Sequence, residues 1–215
     1  MDNLPLELHS QIFQAACLDD GNTARSLSLV SRYVRDVVRP FLYQSLAVAG
    51  FDHLTRCVQS LESLPPHLRR IRHLFLSDWT HKTSLEHNVV CNDMERYEQE
   101  EALLLRVIEY AAPTLETLTL SVFCPYSGPP LIGALFSVSF PHLTSLVIHG
   151  FYPFPHTPIS MPRLQRLHLS GNRNPHGLLE VGGLDVVCPN LAHLEISGLS
   201  NAVSFASEVR ATLLQ

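Results

Sequence analysis

Histidine and cysteine are the residues of this chain most able to do chemistry, and it carries twelve of the first and five of the second. An imidazole titrates near neutral pH and ligates zinc; a thiolate attacks carbon or binds metal. Either role needs company at a set spacing. A general base requires a pocket and an orienting partner, yet the histidines are scattered through the whole sequence. Cys17, Cys57, Cys91, Cys124 and Cys188 are odd in number, lie at least 33 residues apart and form no C-x-x-C pair. They read as reduced, mostly buried thiols. No Cys or carboxylate stands at ligand spacing to His149, His168 and His193, so a zinc site is not expected. G-x-S-x-G, G-x-G-x-x-G and G-x-x-x-x-G-K-[ST] are all absent. The expectation is a chain that is not an enzyme, with no catalytic residue, cofactor or metal.

The elements that position these side chains are repeats. Leu-x-x-Leu-x-Leu, with its apolar positions kept, recurs six times: Tyr43–Val48, Ile71–Leu76, Leu115–Leu120, Leu143–Ile148, Leu164–Leu169 and Leu191–Ile196. Successive spacings are 28, 44, 28, 21 and 27 residues. Four of the five fall in the range of leucine-rich repeats, and the fifth is a repeat with an insertion at about residues 79–92. Two apolar residues two apart on a strand point to the same side, so in each unit they stack on the next repeat. Helical spacers are expected where Leu54, Cys57, Val58 and Leu61, and then Leu104, Val107, Ile108 and Ala111, recur at three- and four-residue steps. Glu95, Glu98, Glu100 and Glu101 load the start of the second of these helices, where its dipole favours acids. Leu178–Val187 suits a short helix. Phe151–Ile159 holds three prolines and should run extended. Phe205, Val209 and Leu213 suggest a capping helix. Gly171-Asn172 completes the pattern of the fifth unit, with Asn capping the turn.

Residues 1–42 lack this period and read as three short helices. Pro5 suits a first turn that Asp2 or Asn3 can cap, and Leu8, Ile12 and Ala16 share a face. Thr23 can cap a second helix bearing Leu27 and Val30. A third runs from about Ser31 through Val34, Val37 and Val38 to Pro40. Helices this short need something to pack on.

Leu4-Pro5-Leu6-Glu7-Leu8, then Ile12-Phe13, then Val30-Ser31-Arg32, resembles the F-box, which opens Leu-Pro-x-Glu-Leu and later carries Val-Ser-Arg-x-Trp. Here Val34 stands at the usual Trp position and Tyr33 one place before it. The resemblance covers residues 4 to about 42. With the repeats that follow, and the phrase Cys188-Pro189-Asn190-Leu191, the chain looks like a fungal-type F-box protein with leucine-rich repeats. This implies an α/β architecture: a three-helix F-box (1–42), then a short solenoid (43–215) of about six parallel strands with helices or extended segments on its convex side. It also implies the substrate-recognition subunit of an SCF-type cullin-RING ubiquitin ligase. The partners are an acidic adaptor, through it a cullin, and a target protein. By family match Leu4, Pro5, Leu8, Ile12, Phe13, Leu27, Val30 and Val34 supply the adaptor contact or its support. The alternative is a stand-alone repeat scaffold with no ligase role.

Charge points to an acidic partner independently: residues 22–42 carry Arg25, Arg32, Arg35 and Arg39 against Asp36 alone. The chain as a whole is different, at a formal −5 with a pI near 6.2, which argues against nucleic acid or an anionic membrane. With no signal-peptide n-region and no apolar run longer than Leu131–Val138, it belongs in the cytoplasm or nucleus. Strand alternation places three columns on the concave face as the target surface. They are His73, Thr117, Ser145, Arg166 and His193; Phe75, Thr119, Val147, His168 and Glu195; and Ser77, Ser121, His149, Ser170 and Ser197.

Overall fold

The computed structural model describes residues 4–79, 94–124, 128–152, 160–179 and 184–213. Three short helices open it: α1 (Leu6–Ala16), α2 (Asn22–Ser28) and α3 (Arg32–Val38). α1 begins directly after Pro5, whose carbonyl accepts from the backbone N–H of Leu8 and His9 at 3.1 and 3.2 Å. The expected cap at Asp2 or Asn3 lies outside the described residues. Thr23 does not cap α2. Gly21 stands at the N-cap, and the carboxylate of Asp19 before it accepts from the Thr23 backbone N–H at 3.0 Å and from its hydroxyl at 2.7 Å. These hydrogen bonds to the ionised form hold Asp19 below the usual carboxylate range. Ser31, where the third helix is expected to start, caps α3, its Oγ accepting from Val34 N at 3.1 Å. Pro40 follows in a 3-10 turn, Arg39–Phe41.

These helices share a small core of Phe13, Cys17, Ala24, Val34, Val37, Val38 and Phe41. α1 therefore buries the stripe His9, Phe13, Cys17, while Leu8, Ile12 and Ala16 face solvent. His9 joins α1 to α3: its Nδ1 lies 2.9 Å from the Tyr33 hydroxyl, and its ring stacks on Phe13.

Beyond them six five-residue strands form one open, all-parallel sheet: β1 (Ser45–Ala49), β2 (His73–Ser77), β3 (Thr117–Ser121), β4 (Ser145–His149), β5 (Arg166–Ser170) and β6 (His193–Ser197). Strand order follows the sequence, and the register aligns the repeat units without a slip. Leu46, Leu74, Leu118, Leu146, Leu167 and Leu194 form one column, and Val48, Leu76, Leu120, Ile148, Leu169 and Ile196 the other. Parallel strands need a crossover between them, here α4 (Phe51–Ser63), α5 (Met94–Ala111), α6 (Gly128–Leu135) and the single turn α7 (Leu184–Val187). Helix α8 (Val203–Leu213) follows the last strand.

Leu54, Val58 and Leu61 of α4 are buried, as are Leu104, Val107, Ile108 and Ala111 of α5; with the two columns they form one core. α6 starts with Pro129 and Pro130 in its first turn, where the missing N–H groups cost nothing. Of the expected extended spacer, Phe151 is exposed and Tyr152 buried; 153–159 lie outside the described residues, as do 80–92 of the insertion. In α8 Phe205 is buried and Val209 packs against the core; the Leu213 side chain lies outside the described residues.

The chain leaves β1, β4, β5 and β6 through Gly50, Gly150, Gly171 and Gly198, all at positive φ. Close approach explains this best at Gly171, where an added Cβ would sit 2.1 Å from the Gly150 carbonyl oxygen. Next to it Asn172 is buried, and its Nδ2 donates to the Tyr152 carbonyl of the preceding turn at 2.9 Å. β2 has Asp78 at the glycine position. Its Oδ2 accepts from the N–H groups of Phe123 and Cys124, each at 2.8 Å, so the carboxylate ties one turn to the next. Among the described residues no helix is long and apolar enough to cross a membrane.

Candidate binding surfaces

The N-terminal helices present an apolar surface edged with arginine. Leu4, Pro5, Leu8, Ile12 and Val30 are exposed, and Leu6, Leu29 and Tyr33 beside them in sequence are exposed too. Sequence reasoning puts none of those last three in the site, although Leu6 and Tyr33 lie within the motif segments and Leu29 directly before one. Of the other expected residues, Leu27 is half-buried, and Phe13 and Val34 are only 4% and 3% exposed in the small core. These two support the surface and do not form it. Arg25, Arg32, Arg35 and Arg39 are all exposed, so the basic segment lies at the surface of the same helices.

Large apolar side chains left exposed in such number along one short segment make it a candidate interaction surface. Ile12 and Val30, at 52% and 63% exposed, would each gain about 1 kcal/mol from burying what remains.

The second surface is the face of the sheet opposite the core. The three expected columns stand in register across β2 to β6. Their residues are half-buried or exposed, except Ser77 and Ser121, which are buried. The histidines are not independent side chains. His73 Nδ1 lies 2.9 Å from Thr117 Oγ1, His149 Nδ1 2.7 Å from Ser170 Oγ and His168 Nε2 2.8 Å from Ser197 Oγ. Each imidazole thus bonds a hydroxyl of the following strand, a pattern that strand register produces and a linear sequence hides. Burial holds His73 below the ordinary histidine value, opposed by nearby Glu116 and reinforced by Arg72. His149 is lowered by burial and then by His168, whose ring lies edge-on 5.4 Å away. The face is neutral around these two at pH 7. At its margin Arg72 grips Glu116 with two bonds of 2.7 and 2.9 Å, again between equivalent positions of adjacent units. Partly open to solvent, that pair contributes at most about 1 kcal/mol.

Three buried acids, Asp78, Glu100 and Glu208, escape sequence reasoning. Asp78 and Glu100 are both sequestered, and burial is the first cause that raises them, Asp78 to about 6 and Glu100 to about 7. The Asp78 charge raises Glu100 further and Arg96 opposes it. The sequence groups Glu100 with the acids that load the helix start, but it is the seventh residue of α5 and points into the core side. The signal is available: residue 100 continues the stripe of 104, 107, 108 and 111. Asp78 also borders a cleft of about 280 Å³ with Gly50, Asp52, Arg56 and Arg96. At the far end of the sheet the buried Glu208 carboxylate accepts from Gly177 N at 2.6 Å and pairs with His176, pinning α8 to the turn after β5.

Cys17, Cys124 and Cys188 are buried and Cys57 half-buried, and burial pushes the thiols of Cys57 and Cys188 to about 11; Cys91 lies outside the described residues. Among the described residues no group of three or more His, Cys, Asp or Glu side chains is placed to hold a metal ion.

The fold and the two surfaces define an α/β chain built on a six-stranded, open parallel sheet, with an apolar and basic helical surface at its N-terminal end. Comparison of the chain with protein-family models, with curated proteins and with solved structures finds no match.

Proposed function

We propose that this chain is the substrate-recognition subunit of an SCF-type cullin-RING ubiquitin ligase. In this reading residues 1–42 are an F-box that grips the acidic adaptor bridging to the cullin. Residues 43–215 are a leucine-rich-repeat solenoid whose hydroxyl- and histidine-lined face receives a target protein. The chain is a binding subunit without a catalytic step of its own, and its reduced, buried thiols fit a cytoplasmic or nuclear setting.

One observation carries the proposal. Leu4, Pro5, Leu8, Ile12 and Val30, which match the F-box motif, remain exposed although the three helices have a core that could have taken them. Four exposed arginines in the same segment supply the charge an acidic adaptor would meet, favouring fast encounter more than final affinity. The in-register columns support the repeat half of the reading.

The test is co-purification of the full chain with adaptor and cullin. Wild type is expected to retain both, and an Ile12→Asp, Val30→Asp variant to lose both while keeping its circular dichroism and melting temperature. Wild type that retains no adaptor defeats the ligase reading and leaves a repeat scaffold.

A further inference from the structure

β6 is the terminal strand of the sheet, with β5 on one side and no strand on the other among the described residues. The exposure of its core leucine marks the edge as open. In the column that Leu194 continues, Leu74, Leu118, Leu146 and Leu167 are at most 3% exposed, whereas Leu194 is 39% exposed. Leu199 and Val203, on the segment leaving β6, are exposed as well. The opposite edge is treated differently: at β1, Gln44 Nε2 donates to the Gln14 carbonyl at 2.8 Å and Ser45 Oγ to Asp20 at 3.3 Å, so the helical segment shields it.

The backbone of β6 fixes which pairings the open edge allows. Along the sheet, the carbonyls of Gln44, Glu116 and Gln165, one residue before their strands, accept from the following strand, and the N–H groups of Gly50, Val122 and Gly150 donate to it. Alternate residues at these even offsets therefore face the next strand, and on β6 they are Leu194 and Ile196. Their N–H and C=O groups point to the open side.

We infer that the β6 edge is a self-association surface, taking β6 of a second copy of this chain antiparallel across a two-fold axis at Leu194. The occupant follows from charge. A two-fold pairing must oppose residues whose edge-facing backbone groups match, so the axis passes through a residue, and Leu194, Glu195 and Ile196 are those that pair three or more residues of β6. Centred on Glu195, two like charges meet at the closest approach. Centred on Ile196, Glu195 meets Ser197 and no charge is matched. Centred on Leu194, the two leucines exchange backbone hydrogen bonds and cover each other. Each His193 then stands opposite Glu195 of the second copy, in the non-hydrogen-bonded pairs where side chains come nearest. Among the described residues Glu195 pairs with His168, at 3.9 Å. The inference is independent of the ligase reading.

Analytical ultracentrifugation of the full chain over a micromolar concentration series tests it. Wild type is expected to dimerise reversibly. Glu195→Lys, which sets an ammonium group against the imidazole of His193, is expected to raise the dissociation constant about tenfold or more, with secondary structure unchanged by circular dichroism. The double variant His193→Glu, Glu195→Lys sets opposite charges across the axis and is expected to recover the dimer. A wild-type chain monomeric throughout the series overturns the inference. So does a double variant no tighter than Glu195→Lys.

Discussion

Replacing Glu100 by Gln is expected to stabilise the fold above neutrality. Glu100 has a carboxyl held up to about 7 in the folded chain, against 4.5 for the free side chain, because it is buried and faces Asp78. Between those values the native state keeps a proton that the unfolded chain has released. Stability therefore falls as pH rises through the interval and levels off above about 7. At 1.36 kcal/mol per pH unit, the rise of about 2.5 corresponds to ~3 kcal/mol lost by pH 8. Gln has nearly the same shape and no charge to desolvate, so Glu100→Gln should recover ~1–3 kcal/mol at pH 8 and none at pH 4. The assay is urea unfolding of both proteins from pH 4 to pH 8. Their difference is the quantity to read, because Asp78, raised to about 6, titrates over the same range with the same sign, and His73 and His149 over part of it with the opposite sign. Both are held low in the fold, so they contribute stability above the unfolded histidine value that is lost as pH falls. A stability difference between the two proteins that does not change with pH would refute the reasoning.

Two further outcomes follow from the sheet. Gly171→Ala places a Cβ within 2.1 Å of the Gly150 carbonyl at φ +130°, so backbone must move; a loss of about 2–4 kcal/mol by urea unfolding is expected, and a loss under about 1 kcal/mol would show that the turns are not stacked. Leu118→Ala is expected to cost about 3 kcal/mol and Leu194→Ala, measured in dilute protein, under about 1.5, because one column position is closed on both sides and the other on one; equal losses would place the open edge elsewhere.

What the linear chain discloses is its repetition. Apolar spacing alone locates the six strands, their inward columns and the outward columns, since register in a stacked sheet follows from equivalent positions lying side by side. It discloses less where a residue's partner belongs to another unit. The histidine–hydroxyl rungs, the Arg72–Glu116 clasp and the hold of Asp78 on the next turn join residues 21 to 46 positions apart, and none has a local signature. Glycine at equal offsets after four strands is a readable sign of the tight turns that the repeat pattern uses only at Gly171. Reading helix starts by residue type favours Thr23, whereas Asp19, four residues earlier, accepts from the backbone N–H and hydroxyl of Thr23 itself.

The adjacent pair Ile12 and Phe13 shows why both uses of an apolar residue fit in so short a helix. Successive residues on a helix point about 100° apart, so one turn can give one side chain to the core and its neighbour to a partner. Phe13 is 4% exposed and Ile12 52%. Phe13→Ala is expected to lose about 3–5 kcal/mol and to weaken adaptor capture only by unfolding the helices, so that capture recovers at lower temperature. Ile12→Ala is expected to leave stability within about 0.5 kcal/mol and, if the proposed adaptor docking holds, to weaken capture at every temperature, since it removes exposed surface and no core. Measured together by thermal melting and adaptor pull-down, the two variants separate a helix that is folded for binding from one that is merely folded. If Ile12→Ala destabilised the chain as much as Phe13→Ala, the exposed face would be core after all.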